Sequence, residues 1–282
     1  MSTWQGTTPP PEFRISPLGW LLIVLRLPLI GSVVFGGLVV LLALRLIERP
    51  LCGTSRPVTP WITVAVCRMT LLVMGLKVEP RGQIGQTGVI VANHTSWLDI
   101  FVLNSRIPLY FVAKQEVSRW PGIGWLARAT GTLFIRRDPR AAQAGANALQ
   151  ERLLQGQRLL FFPEGSSSDG LRVLPFKTTL FAALMAQPLR KHLKVQALSV
   201  TYYAPKGREP QFYGWWGDMD FASGLIHVLG QVRQGHVRVT AHPMLAVADM
   251  PDRKALAAQL EKQTRAGFLE AKKHPGKINL PG

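Results

Sequence analysis

Cysteine and acidic residues are scarce in this chain of 282 residues. Cys52 and Cys67 are its only cysteines, too few for a disulfide framework or a cysteine-rich zinc site. The 16 acidic residues stand against 33 basic ones, which gives a formal net charge of +17. An excess of this size predicts an anionic partner: nucleic acid, an anionic membrane or a phosphorylated substrate.

Nucleic-acid-binding patterns are also missing. The sequence has no zinc-finger spacing, no aromatic RNA-binding signature and no basic zipper, so we expect no nucleic-acid partner. Charged residues make up only 17% of the chain, against roughly 25% in an ordinary soluble domain, and hydrophobic residues make up 47%. This balance predicts contact with lipid, and we expect the positive charge to hold the protein against anionic membrane lipids.

A long apolar segment follows a polar, Pro-rich start. Residues 1–16 are expected to be disordered, whereas residues 27–44 carry no charge at all. The segment is too long for a signal peptide. It predicts one tilted membrane span or a helical hairpin bent near Pro28–Gly31 or Gly36-Gly37, and basic residues on both flanks suit a hairpin with cytoplasmic ends. A second stretch, 61–78, predicts an interfacial helix, so residues 17–78 are predicted to anchor the protein.

Strand and helix patterns alternate after Pro80. Apolar runs predict strands at 87–93, 109–113, 132–135, 158–162, 194–203 and 236–241. One helix is predicted to open at Asp138-Pro139, with Leu149 and Leu153 on its apolar face, and a last helix is predicted to start near Asp252. The alternation predicts an α/β fold, a sheet flanked by helices, over residues 79–282.

The first of three chemical motifs is NHTSWLD (93–99), which follows the predicted strand 87–93. Ligands bind at strand ends in α/β sheets. An aspartate five residues after a histidine can accept the second ring N–H, which fixes the tautomer and raises the basicity of the ring. The pattern indicates His94 as a general base with Asp99 as its partner. A helix cap beside a surface histidine is the alternative interpretation.

The other two motifs also end predicted strands. GTLFIRR (131–137) ends in Arg136 and Arg137, and paired guanidinium groups can hold a phosphate through charge-assisted bonds. FFPEGS (161–166) places Glu164 beside Gly165, where the missing side chain lets a ligand approach the backbone. Taken singly, a solvated arginine pair or an ordinary strand exit would explain each of them.

In this order, the three motifs resemble the first three blocks of the glycerolipid acyltransferases, and specifically the 1-acylglycerol-3-phosphate acyltransferase (lysophospholipid acyltransferase) group. The resemblance covers about residues 75–245. It implies a glycerol-3-phosphate acyltransferase-like α/β fold, with His94 and Asp99 as the catalytic residues. The substrate-binding residues that it implies are Asn93, Lys114, Arg136, Arg137, Glu164, Gly165, Ser166 and Lys177.

The same resemblance implies the reaction and its setting. A fatty acyl group would pass from acyl-ACP or acyl-CoA, as co-substrate, to the hydroxyl of a lysolipid acceptor. We expect no metal and no other cofactor. The expected location is a bacterial-type inner membrane, with the catalytic domain on the cytoplasmic face.

The acceptor headgroup is open at this point. Cations around the motifs favour lysophosphatidic acid (1-acyl-sn-glycerol-3-phosphate), which would give phosphatidic acid. The alternative is a lyso-aminolipid of the lyso-ornithine lipid type, because the fourth block lacks its usual proline at Ala197 and because Asp218 or Asp220 could pair with an ammonium group. A non-catalytic membrane adaptor is a remote alternative, and the intact motifs argue against it.

Overall fold

The computed structural model describes residues 4–6, 14–136 and 142–274. The α-helices of these residues are α1 (Pro17–Cys52), α2 (Thr59–Met74), α3 (Asp99–Asn104), α4 (Ile123–Ala129), α5 (Ala142–Leu154), α6 (Phe181–Leu184), α7 (Phe221–Leu229) and α8 (Arg253–Lys273). The strands are β1 (Lys77–Arg81), β2 (Val89–Ala92), β3 (Tyr110–Lys114), β4 (Leu133–Ile135), β5 (Leu159–Phe161), β6 (Lys194–Tyr203), β7 (His236–Ala241) and β8 (Leu245–Ala246).

The strands form a mixed sheet in the order β1-β7-β6-β2-β5-β3-β4, with β8 beside β6. Five neighbouring strands, from β6 to β4, are parallel, whereas β7 runs antiparallel to β6 and β1 runs parallel to β7. Central β2 is apolar throughout and buried, as expected of a parallel strand covered on both faces. The carboxyl ends of the five parallel strands lie along one edge of the sheet, and each of the three motifs contains or directly follows the end of one of these strands.

Helices cover both faces of the sheet. One apolar cluster joins α1, α2, α3 and α7 to the sheet, and the other joins α5, α6 and α8 to the opposite face. Strand β6 shows the alternation that separates the two layers, because Leu198 and Val200 belong to the first cluster and Val195 and Ala197 to the second. The architecture confirms the predicted α/β class.

The six strands predicted after Pro80 are all present, and the predicted ranges 194–203 and 236–241 coincide with β6 and β7. The last helix begins directly after Asp252, whose carboxylate accepts from the backbone N–H of Lys254 and of Ala255 at 2.8 Å each. Leu149 and Leu153 are buried on α5. The predicted helix start at Asp138-Pro139 lies outside the described residues.

Of the two arrangements predicted for the long apolar segment, the one with a bend inside it is wrong, because α1 runs as one helix through both expected bend points. A Cβ atom at Gly37 would lie 2.2 Å from Val66 Cγ2, so the missing side chain lets α2 pack closely there. The hydroxyl of Ser32 donates to the carbonyl of Pro28 at 2.9 Å within the continuous helix. The chain instead reverses at residues 53–58, so that α1 and α2 form the hairpin.

The predicted interfacial helix 61–78 is too long at its C-terminal end. Gly75 adopts a left-handed conformation (φ +79°) that ends α2, and Lys77 already belongs to β1. Glu79 on β1 is 3% exposed, and its Oε2 accepts from Nε of Arg238 on β7 at 2.8 Å. This ion pair holds a short polar strand at the edge of the sheet.

Both ends of the α1–α2 hairpin contact the α/β domain. At one end, Nη1 of Arg26 donates to the carbonyls of Leu229 (2.9 Å) and Gln231 (2.7 Å), where α7 ends. At the other end, Nη1 of Arg56 donates to the carbonyl of Ala129, at the end of α4 (3.3 Å). Within the described chain, α1 is the one helix whose length and composition would suffice to cross a bilayer. Exposed apolar side chains cover the outer side of the pair, among them Leu21, Val24, Val39, Leu46, Trp61 and Leu72.

Candidate active site

The first and third motifs meet where β2 and β5 end side by side. The backbone N–H of His94 donates to Oε1 of Glu164 at 3.2 Å. The His94 ring stacks on Phe162, with ring centroids 4.0 Å apart and an interplanar angle of 10°. The loop that follows β5 therefore fixes the histidine both through its backbone and through its ring.

His94 and Asp99 form the predicted dyad. Nδ1 of His94 lies 2.8 Å from Oδ2 of Asp99, and the same oxygen accepts from the backbone N–H of Thr95 (2.8 Å) and Ser96 (3.0 Å). The Asp99 side chain is 0% exposed, whereas the His94 side chain is 19% exposed. An ionised carboxylate only accepts hydrogen bonds, so Nδ1 carries the proton and Nε2 keeps the lone pair for a substrate.

The second oxygen of Asp99 has a partner that sequence reasoning missed. The hydroxyl of Tyr202 donates to Oδ1 at 2.7 Å from the far end of β6. Burial, and then the charge of Asp99, raise the pKa of Tyr202 well above its usual value, so the phenol remains a donor. The alternation of β6 could have placed Tyr202 on the face of Leu198 and Val200, but no local pattern names its partner.

Glu164 is a buried carboxyl group with one oxygen to spare. It is 3% exposed, and Oε2 has no hydrogen-bond partner in the described parts of the chain. Burial raises the pKa of Glu164 well above its ordinary value, and the charge of Asp99 acts in the same direction. The hydrogen bond from the backbone N–H of His94, the dipole of the nearby Leu174 N–H and the charge of Arg265 oppose that shift. These conditions favour a neutral carboxyl group beside the dyad.

The loop after Glu164 wraps around the histidine backbone. Gly165 adopts a left-handed conformation (φ +70°), which a residue with a side chain rarely adopts. The backbone N–H of Ser168 (3.0 Å) and its hydroxyl (3.2 Å) both donate to the carbonyl of His94. Half-buried Ser166 accepts the backbone N–H of Trp4 through Oγ at 3.1 Å, so residue 4 lies against this loop although it falls in the predicted disordered stretch.

Asn93 joins two strands. Its side chain is completely buried, its Nδ2 donates to the carbonyl of Val200 at 2.8 Å, and its Oδ1 accepts the N–H of Val200 at 2.7 Å. These bonds fasten the end of β2, and therefore His94, to β6. The geometry gives Asn93 a positioning role, and its predicted contact with substrate stays a prediction.

The predicted cations occupy different surroundings. Lys114 ends β3 and is half-buried, and its register partner Ile135 directly precedes the exposed Arg136. Lys177 is exposed, and its backbone N–H donates to the carbonyl of Pro163 at 2.9 Å, which places it beside the FFPEGS loop. Arg137 lies outside the described residues. The structure therefore brings Lys114 and Arg136 to one edge and Lys177 to the neighbouring loop.

The two aspartates considered for an ammonium group lie at the surface. Asp220 is the N-cap of α7 and accepts from the backbone N–H of Ser223 at 2.9 Å. Asp218, two residues before it, is exposed. A different carboxylate, Asp169, is buried in the loop that bonds to the His94 carbonyl, and its Oδ2 pairs with Nη2 of Arg172 at 3.1 Å.

A mixed α/β sheet whose parallel strand ends carry an Asp-oriented histidine and a buried glutamate is the arrangement that the three motifs predicted for an acyltransferase. A family model described as acyltransferase matches residues 73–203. A lyso-ornithine lipid O-acyltransferase from Rhodobacter capsulatus is 53% identical over 266 residues, which are 94% of this chain and 96% of that protein. The chain therefore belongs to the acyltransferase family, and it is an enzyme that acylates lysolipids.

Two further relatives widen the comparison. A 1-acyl-sn-glycerol-3-phosphate acyltransferase from Neisseria meningitidis is 34% identical over 200 residues, which cover 70% of this chain and 76% of that one. The crystal structure of the 1-acyl-sn-glycerophosphate acyltransferase PlsC from Thermotoga maritima superposes with a TM-score of 0.64 at 20% identity, covering 92% of this chain and 98% of that one. At that identity, the likeness to PlsC supports the fold alone. The resemblance drawn from the three motifs is confirmed.

Proposed function

We propose that the protein is a lyso-ornithine lipid O-acyltransferase that works at the membrane surface. One observation carries this choice of acceptor: the Rhodobacter capsulatus relative of that name is 53% identical over nearly the full length of both chains, against 34% for the Neisseria protein. This reverses the preference for lysophosphatidic acid that the cations suggested.

The dyad supports a direct transfer. His94 accepts the proton of the acceptor hydroxyl through Nε2 while the hydroxyl oxygen attacks the thioester carbonyl of acyl-ACP or acyl-CoA. The tetrahedral intermediate then collapses: the ester forms, the C–S bond breaks, and the carrier leaves as a thiol after His94 has returned the proton to its sulfur. Asp99 holds the imidazolium in place during this step. General-base catalysis of this kind supplies about 10²–10⁴-fold in rate, and the chain's own residues suffice for it.

The Asp169–Arg172 pair supports a zwitterionic headgroup. Ornithine acylated on its α-amino group keeps a carboxylate and a terminal ammonium, which complement a guanidinium and a carboxylate respectively. Arg172 is partly exposed and Asp169 is buried, 3.1 Å apart. Ser168 of the same loop donates a hydrogen bond to the carbonyl of His94, so the loop that carries the pair is attached to the backbone of the proposed base. In this proposal Arg172 receives the headgroup carboxylate and Asp169 the ammonium.

The hairpin supports a protein that lies on the membrane. Arg26 and Glu48, near its two ends, are separated by about 33 Å of helix at 1.5 Å per residue. Both ends contact the α/β domain, the first through Arg26 and the second through Arg56. A helix that crossed the bilayer would carry one end away from that domain. We therefore place α1 and α2 flat in the interface of the inner membrane, with the catalytic domain on the cytoplasmic face.

An acceptor competition tests this function. Purified protein in vesicles would receive labelled acyl-ACP or acyl-CoA with lyso-ornithine lipid or lysophosphatidic acid as acceptor. We expect kcat/KM for lyso-ornithine lipid to exceed that for lysophosphatidic acid by at least about tenfold, the ratio that one charge-assisted contact supplies. The reverse ratio would assign the acceptor to lysophosphatidic acid. No transfer to either lipid would remove the proposed function.

A further inference from the structure

We infer that Tyr202 is a positioning residue of the reaction, the third member of a chain His94–Asp99–Tyr202. This inference rests on the proposed role of His94 as the general base. The three side chains come from separate elements, namely the loop after β2, the start of α3 and the end of β6. The chain has two links, 2.8 Å from His94 Nδ1 to Asp99 Oδ2 and 2.7 Å from Asp99 Oδ1 to the Tyr202 hydroxyl.

Tyr202 completes the coordination of the Asp99 carboxylate. The backbone N–H groups of Thr95 and Ser96 and the His94 ring all bond to Oδ2. The Tyr202 hydroxyl is the partner of Oδ1 among the described residues. Since a buried carboxylate oxygen without a donor is costly, loss of the phenol would leave Oδ1 unsatisfied and the carboxylate free to turn. A turned carboxylate would no longer present Oδ2 to His94.

The phenol itself is held by neighbours outside the dyad. The Tyr202 ring packs against Tyr213, with ring centroids 5.3 Å apart, and the backbone carbonyl of Tyr202 accepts Nζ of Lys272 at 3.4 Å. Its place on β6 is fixed by pairing with Val237 on β7. The position of the hydroxyl therefore does not depend on the loop that carries His94, so the hydroxyl can hold Asp99 in one orientation.

The test replaces Tyr202 with Phe, which keeps the ring and removes the hydroxyl. We expect kcat to fall about tenfold, the effect of losing one hydrogen bond to a charged group, with KM for the acceptor unchanged. The acid limb of the pH–kcat/KM profile should move to lower pH, because a carboxylate that has turned away from His94 stabilises the imidazolium less. Loss of packing alone would not move that limb.

Tyr213→Phe is the matched control. The Tyr213 hydroxyl donates to Oε1 of Gln234 at 2.7 Å and accepts the N–H of Gly235 at 2.8 Å, so its removal also breaks two partly buried hydrogen bonds beside Tyr202 without touching Asp99. This variant should lose stability but keep the wild-type acid limb. If Tyr202→Phe proved too unstable to assay, 3-fluorotyrosine at position 202 would keep the fold and make the hydroxyl a stronger donor. The stronger donor draws charge from Asp99, so the imidazolium is stabilised less and the acid limb should move to lower pH.

A double-mutant cycle separates action through Asp99 from a general effect. In an Asp99→Asn background, Tyr202→Phe should change kcat by less than about twofold, because both substitutions act through the same contact between Asp99 and His94. Equal, additive losses in both backgrounds, or an unmoved acid limb, would overturn the inference while leaving the proposed function intact. If His94→Ala kept full turnover, the assignment of His94 as the base would be wrong, and the proposed role of Tyr202 would be wrong with it.

Discussion

Replacing Glu164 with Gln should stabilise the protein at neutral pH and flatten its stability–pH profile. The carboxyl group is 3% exposed, and its Oε2 lacks a partner in the described chain, so ionisation in the folded state is penalised. The pKa of Glu164 is raised by burial well above the value of about 4.3 that it has when unfolded. An amide of the same shape can still accept the His94 N–H, and it never ionises.

The sign and the size follow from proton linkage. Between the unfolded and the folded pKa of Glu164, the folded state binds one proton more than the unfolded state. The free energy of unfolding of the wild type therefore falls by about 1.4 kcal/mol for each pH unit across that window, and it levels off above the folded pKa. The Glu164→Gln variant lacks this slope, so the difference between the two proteins should grow as pH rises above about 4.5.

Glu79 is the matched control, since it is also 3% exposed. Its burial would raise the pKa, but hydrogen bonds and charge from Arg238 and Arg81 outweigh burial and lower it. Glu79→Gln should therefore destabilise the protein at neutral pH, and the loss should shrink as pH falls through the folded pKa of Glu79. Thermal unfolding in detergent from about pH 2 to about pH 8 measures both variants, because the folded pKa of Glu79 lies below its unfolded value. Parallel stability–pH profiles for Glu164→Gln and wild type would refute the conclusion that the Glu164 carboxyl group is buried with an unsatisfied oxygen.

Three further outcomes are expected. Asp99→Asn should lower kcat by less than removal of the histidine does, because a neutral orienting partner remains, as steady-state turnover in vesicles would show. In a cysteine-free background, cysteines placed at Ser55 and at Glu209 should both react with a membrane-impermeant thiol reagent from the same side of oriented vesicles. Labelling of the two positions from opposite sides would mean that α1 spans the bilayer. Arg172→Ala should raise KM for lyso-ornithine lipid about tenfold and leave KM for the acyl donor unchanged. The surface variant Arg208→Ala is the control, and equal KM values for lyso-ornithine lipid in the two variants would remove Arg172 from the headgroup site.

The strands could be predicted because their apolar runs are local signals. Central parallel strands such as β2 are apolar at every position, and β6 alternates between two buried layers, so the sequence already marks their ranges. The His94–Asp99 link was predictable for the same reason. Both residues lie on one short segment, and a spacing of five lets the chain fold back on itself.

The remaining features depend on distant contacts. Strand β1 contains Glu79, Pro80 and Arg81, which in sequence resemble a linker, and it is held by Arg238 from 159 residues away. Tyr202 lies 103 residues from Asp99, and no periodicity records that pairing. The sequence left open whether α1 is continuous or bent, because Gly37 suggests a bend until the close approach of Val66 gives the glycine a packing role.

The position of the general base is tested most directly by His94→Ala in a single-turnover acylation of lyso-ornithine lipid. Purified wild type and variant would be compared in the same vesicles, after thermal unfolding and vesicle flotation have shown that folding and membrane binding persist. The variant should lose about 10²–10⁴-fold in the rate of acyl transfer, because no other described group takes the place of Nε2 beside Asp99. A folded, membrane-bound His94→Ala variant that keeps more than a small percentage of wild-type turnover would contradict the assignment of His94 as the base.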